Sequence, residues 1–191
     1  MTDVRPTHIG GPTVLIQVGG WRLLTDPTID PPGAKYNFGW GTGSVKVVGP
    51  AVAASELGQL DAVLLTHDHH DDNLDPAGRA LLSAAGSVVT TVSGSRRIGG
   101  ETRGLEPWGT TVLEAPGRPP IEVTATPWRH GPPLSRPLAG DRRPPVDRCG
   151  EGWKHFKEGR EAIERELEGA PREIRERIRW LPLGVDVEIA A

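Results

Sequence analysis

The most constraining feature of this sequence is a buried-strand pattern followed at once by a dense cluster of histidine and aspartate. Residues 61–66, DAVLLT, carry apolar residues that do not alternate with polar ones, which predicts a strand buried on both faces. Residues 67–75, HDHHDDNLD, follow directly, and the stretch 61–75 holds three histidines and five aspartates but no lysine or arginine. So many acceptors at one strand end are electrostatically costly unless a positive charge lies among them, and a divalent metal ion supplies that charge.

The donor types narrow the choice of metal. Imidazole together with carboxylate favours Zn²⁺, Mn²⁺ or Fe²⁺, whereas Ca²⁺ and Mg²⁺ prefer oxygen ligands alone. Because the chain bends directly after the strand, we expect His67 and His69 to project together and Asp71 or Asp72 to return from the loop. The competing interpretation of this segment is a solvated acidic loop.

Two residues outside the cluster are further candidates for the same site. His130 follows a predicted strand over residues 121–126, so it lies at a strand end that can meet the first one at a single sheet edge. A solvated loop histidine is the alternative. Asp26, in Thr25-Asp26-Pro27, is predicted to accept a hydrogen bond from an imidazole N–H, although an aspartate before proline is also ordinary turn chemistry.

Patterning elsewhere predicts a layered α/β fold dominated by strands. Asp75 is expected to cap a helix that begins at Pro76 and runs to about residue 85. The other expected elements are strands at 13–18, 21–24, 87–92, 110–114 and 121–126, a surface loop at 30–49, a short helix at 51–60, an irregular stretch at 131–150 and a helical tail after 151.

Composition excludes several classes of protein. Gly (25) and Pro (19) are abundant, which argues against a helical bundle, and the net charge of −3 offers no basic field for nucleic acid or anionic lipid. A single cysteine, Cys149, rules out an internal disulfide framework. No apolar run is long enough to span a bilayer and the first residues lack a signal-peptide pattern, so we expect a cytoplasmic protein without membrane contact.

The cluster also carries a family resemblance. Residues 66–71, THDHHD, preceded by DAVLL, resemble the HxHxDH signature of the metallo-β-lactamase superfamily. Residues 8–16 and 24–27 are similar to the opening of its lactonase-like branch, which includes the ascorbate-6-phosphate lactonases, and residues 126–131 match the position of the third histidine ligand. The tail segments 151–156, 159–160 and 179–182 also resemble that branch, so the resemblance covers residues 7–130 and 151–187.

This resemblance implies an αββα sandwich that binds one or two ions of zinc, or of manganese or iron. The implied metal ligands are His67, His69, His70, Asp71 and His130. The motif can be aligned in two registers. Aligned on the preceding strand it gives His67, His69 and Asp71, with Asp72 in place of a fourth histidine; aligned on the trailing Leu74-Asp75 it gives Asp68, His70, Asp72 and Asn73. Either register lacks the last motif histidine, which favours a mononuclear site.

The second half of the chain departs from the family. Only about 20 irregular residues, 131–150, stand where relatives carry several strands, a helix and a metal-bridging aspartate, a role that Asp141 could imitate. Asp147 or Cys149 could replace a later histidine ligand. We therefore expect one truncated domain over 1–191, with a metal-binding half (1–130), an irregular loop (131–150) and a helical tail (151–191). Its first sheet would lack a partner for one apolar face.

These features lead to two functional hypotheses. The first is a metal-dependent hydrolase in which Asp71 or Asp72 serves as general base toward a small-molecule ester, lactone, amide or phosphodiester, with Asp68 as a supporting residue. The second is a catalytically inactive family remnant that persists as an oligomer or interaction protein. A nucleic-acid-processing role is disfavoured by the negative net charge.

Overall fold

The computed structural model describes residues 3–39, 42–125, 168, 172–176 and 180–189. The chain divides into two compact units, of which the first comprises Met1–Pro127 with Leu181–Ala191 and the second Trp128–Trp180. Within the second unit the described residues include one short helix, Arg172–Arg175, whose Arg172 forms an ion pair with Glu176 at 2.6 Å. The division of the chain expected from the sequence, into 1–130, 131–150 and 151–191, stays a prediction.

One mixed sheet dominates the described part of the first unit. Six strands pair in the order β1-β2-β3-β6-β7-β8. Their bounds are β1 (Val4–Gly10), β2 (Thr13–Val18), β3 (Trp21–Thr25), β6 (Ala62–Leu64), β7 (Val88–Thr91) and β8 (Thr102–Leu105). The first three form an antiparallel meander, and β3, β6, β7 and β8 are parallel neighbours. The mixed α/β class expected from the sequence is confirmed.

Two hairpins and two helices complete the described elements of this unit. One hairpin joins β4 (Lys35–Gly39) to β5 (Thr42–Val45), and the other joins β9 (Thr110–Leu113) to β10 (Ile121–Thr124). The helices are α1 (Pro76–Leu81), which continues into a 3₁₀ turn at Leu82–Ala84, and α2 (Val92–Ile98).

Both faces of the sheet bury apolar side chains, because consecutive strand residues point to opposite sides. One face holds Leu24 and Val63 in a cluster with Ile9, Leu15, Leu57 and Leu74. On the other face Leu23, Ala62 and Val89 pack with Trp21 and with Leu113 of β9. The Trp21 indole N–H donates to the Pro119 carbonyl at 2.7 Å, which ties the β9–β10 hairpin to this face. The expectation that this face is left uncovered is wrong for these residues.

The expected helical tail is wrong for residues 181–189. There the chain is extended and lies along β1, with Ile189 N–H donating to Val4 O at 3.0 Å and Val187 N–H to Pro6 O at 3.1 Å. The Thr7 hydroxyl also donates to the Asp186 carboxylate. β-Branched residues at alternate positions 185, 187 and 189 favour this extended conformation, and pairing protects the edge of the sheet.

Two further local predictions are wrong. Residues 51–60, expected to be a short helix, contain only a 3₁₀ turn at Ala54–Glu56, because Gly58 adopts a φ of +66° and the chain turns to bury Leu57 and Leu60. Residues 30–49, expected to be a surface loop, include the β4–β5 hairpin. Its antiparallel pairing satisfies backbone groups in a segment whose glycines and prolines obscure the strand pattern.

Candidate metal centre

The histidine and aspartate loop leaves the sheet at the carboxyl end of β6. Parallel pairing with β3 and β7 brings the ends of three strands to the same edge, where ligands gather in such sheets. The far end of the loop is fixed by Asp75, which is fully buried and caps α1 by accepting the Gly78 N–H at 2.7 Å. The predicted cap at Asp75, with Pro76 in the first turn, is confirmed.

Residues that flank the β4–β5 hairpin hold the same end of the loop. The Asp75 carboxylate also accepts the Asp30 N–H at 2.7 Å and forms an ion pair with Lys46 at 3.1 Å. The Tyr36 hydroxyl donates to Asp30 at 3.3 Å. Burial raises the pKa of Asp71, and so do the nearby carboxylates of Asp30 and Asp75. The carboxyl group of Asp71 therefore takes up a proton more readily than an isolated aspartate.

Asp26 is connected to His67 through Thr66. The buried Asp26 carboxylate accepts the Thr66 N–H at 2.7 Å and the Thr66 hydroxyl at 3.0 Å. The Thr66 hydroxyl oxygen in turn lies 3.0 Å from His67 Nδ1 and 3.2 Å from the Asn73 amide nitrogen. Burial raises the pKa of Asp26, although the hydrogen bonds from Thr66 act in the opposite direction. Asp26 therefore orients the imidazole through an intervening hydroxyl rather than by direct contact.

The three motif imidazoles lie close together. The ring centroids of His67 and His70 are 5.4 Å apart with the planes almost perpendicular, at 84°. His69 lies farther away, 6.1 Å from His67 and 6.4 Å from His70. Among the three rings, His67 and His70 are therefore the nearest pair, and the predicted roles of all three as metal ligands stay predictions.

Asp68 pairs with Arg97 of α2 and lies beside His69, with its Oδ1 atom 4.0 Å from His69 Nδ1. Its carboxylate accepts the Arg97 Nε–H at 2.8 Å and an Nη2–H at 2.5 Å, and its side chain is only 4% exposed. Burial acts to raise the pKa of Asp68, but the hydrogen bonds and charge of Arg97 outweigh it and hold the pKa below its usual range. Arg97 also lies 3.0 Å from His69 Nε2. Asp68 is therefore committed to an ion pair.

Asp72 lies beside His70 and has no arginine partner among the contacts of the described residues. Its Oδ1 atom lies 4.0 Å from His70 Nδ1, and that oxygen is buried without a hydrogen-bond donor in the described part of the chain. A buried carboxylate oxygen without a donor is costly unless a cation lies against it. Together with two imidazoles, this donor set fits a zinc-like ion.

The three imidazoles and Asp72 lie near one another without forming a complete coordination group. Among the described residues, no three histidine, cysteine, aspartate or glutamate side chains converge at coordination distance. His130 and Asp141, together with Asp147 and Cys149, lie outside the described residues, so their predicted roles stay predictions. Sequence reasoning missed Thr66, Arg97 and Lys46, which only contacts across the fold reveal.

We expect Arg97→Met to lower the free energy of unfolding by about 2 kcal/mol, measured by urea denaturation. The buried Asp68 carboxylate loses its counter-charge, a loss that costs several kcal/mol for a fully buried pair and less here because Arg97 is 34% exposed. Arg96→Met, one position away on the same helix and exposed, is the matched control and should stay within about 0.5 kcal/mol of the wild type. Equal losses in the two variants would contradict a structural role for the ion pair.

Comparison with known proteins supports the fold. No family model matches this sequence, and no curated protein matches it. A solved structure of a possible metal-dependent hydrolase from Veillonella parvula DSM 2008 matches with a TM-score of 0.54 and 12% identity, covering 96% of this chain and 98% of that chain. At this identity the match shows a shared fold.

Two further solved structures match a smaller part. An isothiocyanate hydrolase from Delia radicum gut bacteria matches with a TM-score of 0.44 and 26% identity over 53% of this chain and 41% of that chain. Igni18, a metallo hydrolase from Ignicoccus hospitalis KIN4/I, matches with a TM-score of 0.41 and 16% identity over 64% and 56% of the two chains. This chain therefore spans about half the length of these two proteins. No helix among the described residues could cross a membrane.

Proposed function

We propose that this chain is a metal-dependent hydrolase of the metallo-β-lactamase fold, on its lactonase-like branch, with a small molecule as substrate. The observation that carries the proposal is the grouping of His67, His70 and the buried Asp72 Oδ1 at the carboxyl end of β6. The shared fold with a possible metal-dependent hydrolase supports the same class. The residues present fit a single zinc or manganese ion better than a calcium or magnesium ion.

The metal would supply Lewis acidity, which lowers the pKa of water and polarises an ester, lactone, amide or phosphodiester. The chain's own residues do the rest. Asp26, acting through the Thr66 hydroxyl, orients the His67 ring, and the ion pair of Asp68 with Arg97 holds the first turn of the loop in place. A motif carboxylate that does not bind the metal, Asp71 or Asp72, would accept the proton of the attacking water. His130 is proposed as a further ligand from the sequence alone.

The alternative is an inactive remnant that has kept the fold but not the chemistry. The unconverged side chains favour it, since no three of the described candidate ligands meet at coordination distance. Self-association through an exposed sheet is disfavoured, because the second face of the sheet is covered by packed apolar side chains.

Metal content separates the two functions. We expect untagged protein, reconstituted with Zn²⁺ or Mn²⁺ and then desalted, to retain about one equivalent per chain by plasma mass spectrometry, since the site is expected to be mononuclear. Removal of the metal should abolish hydrolysis of a generic ester or phosphodiester. His130→Ala should lower the retained metal.

The matched control for this measurement is His8→Ala. His8 lies on β1, three strands away from β6 in the sheet order, and its Nε2 contacts the Gly11 carbonyl at 3.0 Å. Its removal should leave metal content unchanged. Wild-type protein that retains no zinc or manganese would contradict the hydrolase and support the inactive remnant.

A further inference from the structure

We infer that His67, His70 and Asp72 form the metal-binding set of this loop, while His69 belongs to a structural clamp with Arg97 and Asp68. The inference rests on the proposed function in requiring that the chain bind a metal. It differs from both simple registers of the motif, since it takes His67 from one and His70 with Asp72 from the other.

The Nε2 atom of His69 lies 3.0 Å from Arg97 Nη2. A guanidinium group only donates hydrogen bonds, so Nε2 must present its lone pair to Arg97. The neutral ring then carries its proton on Nδ1, which lies on the side of Asp68, 4.0 Å from Oδ1. Neither nitrogen can therefore bind a metal ion without losing its present partner. Binding at Nε2 would displace the guanidinium group, and binding at Nδ1 would displace the proton.

Displacing Arg97 is costly because the same Nη2 atom serves the buried Asp68 carboxylate at 2.5 Å. The two contacts share one guanidinium group, so moving it from His69 strains the ion pair as well. The side chain of His69 is also more exposed than that of His70, at 49% against 37%. Its position fits the rim of the loop rather than its interior.

His67 differs from His69 because its hydrogen-bonding partner lies at Nδ1 rather than at Nε2. The Thr66 hydroxyl donates to the Asp26 carboxylate, so its oxygen is an acceptor toward His67 Nδ1 at 3.0 Å. The neutral His67 ring therefore holds its proton on Nδ1 and its lone pair on Nε2, and Nε2 is buried. An imidazole held in one tautomer by a hydrogen bond to its other nitrogen is the usual arrangement of a metal ligand.

His70 and Asp72 are placed to share a metal ion with His67. Two imidazoles on one tetrahedral zinc place their ring centroids about 5 Å apart, given a Zn–N distance of about 2.1 Å. The 5.4 Å between His67 and His70 is nearer to that value than the 6.1 Å between His67 and His69. Asp72 Oδ1, buried without a donor among the described residues and 4.0 Å from His70 Nδ1, supplies an anionic oxygen beside the pair.

The test measures metal affinity in four single variants of the full chain: His69→Ala, His70→Ala, Asp71→Asn and Asp72→Asn. Zinc dissociation constants are measured by competition with a chromophoric chelator, and Co²⁺ is added as a spectroscopic probe because its visible bands report ligand number and type. We expect His70→Ala and Asp72→Asn to weaken zinc binding by about 100-fold or more and to change the Co²⁺ spectrum. His69→Ala and Asp71→Asn should stay within about threefold of the wild type and keep its spectrum.

The unfolding midpoint of each metal-free variant controls for folding, and His70→Gln replaces His70→Ala where the latter does not fold. Loss of zinc in His69→Ala with retention in His70→Ala would overturn the ligand assignment and leave the metal-dependent function standing. Loss in both histidine variants would overturn it as well, since His69 would then be needed. Absence of zinc binding in the wild type would instead overturn the proposed function itself.

Discussion

Gly78→Ala should lower the free energy of unfolding by about 3 kcal/mol, although alanine is the better helix former. A Cβ atom at this position would lie 1.8 Å from the Pro27 carbonyl oxygen and 2.7 Å from its carbonyl carbon, both backbone atoms. Gly78 is buried in α1, and its N–H is held by Asp75. The helix would have to move away from the turn that carries Asp26, so zinc affinity should fall together with stability.

Helix propensity and the steric clash predict changes of opposite sign in the free energy of unfolding. Helix propensity alone predicts that replacing glycine by alanine stabilises the protein by about 1 kcal/mol. Ala80→Gly, at an exposed position of the same helix, is the matched control and should cost only about that amount. Urea denaturation of both variants separates the two effects. A Gly78→Ala protein as stable as the wild type would show that α1 does not approach Pro27 so closely.

Asp26→Ala should weaken zinc binding by about 10- to 100-fold and lower stability by on the order of 2–4 kcal/mol. The substitution removes the acceptor of the Thr66 N–H and hydroxyl, which leaves two donors near the site without their carboxylate and releases the His67 ring. Asp26 also adopts a φ of +27°, a conformation that asparagine tolerates better than alanine. Asp26→Asn should therefore recover part of the stability.

Asp61→Ala is the control that separates metal affinity from stability. Asp61 precedes β6 at the opposite end of the strand, where its carboxylate accepts the Arg22 N–H at 2.8 Å and pairs with Arg118 at 2.6 Å. Its removal should cost stability without changing zinc affinity. If Asp26→Ala and Asp61→Ala lower zinc affinity equally, the effect of Asp26 on the metal is a general consequence of destabilisation.

Local patterns in the sequence were sufficient for several elements. The apolar runs at 13–18 and 21–24, separated by Gly19-Gly20, predict the β2–β3 hairpin, and the structure confirms it. Asp75 followed by Pro76 predicts the start of α1, because a capping carboxylate accepts a hydrogen bond from an amide only three residues away. The histidine and aspartate loop follows β6 directly, so its place at the end of that strand is predicted by the adjacent sequence alone.

Other elements depend on partners that no local pattern identifies. β1 carries His8 and Pro6 among its apolar residues, and its pairing with both β2 and the extended segment near residue 189 compensates for that weak pattern. Helix α2 begins at a cap formed by the Thr91 hydroxyl and the Gly94 N–H. Its Ser, Gly and Arg residues give no apolar periodicity, so packing against β7 and β8 decides that it is a helix.

The sequence by itself determined that histidines and aspartates stand at the carboxyl end of a buried strand, because strand burial and the residues that follow it are adjacent along the chain. It left two alignments of the motif open, because residue spacing alone does not decide which of these neighbouring side chains face the same point. The tertiary structure decided where they point: Arg97, 29 residues from Asp68, draws Asp68 and His69 to one side, and Asp26, 40 residues from Thr66, orients His67 on the other. Electrostatic and hydrogen-bonding partners are chosen by distance in space, and that distance exists only once β3, β6 and α2 have packed together.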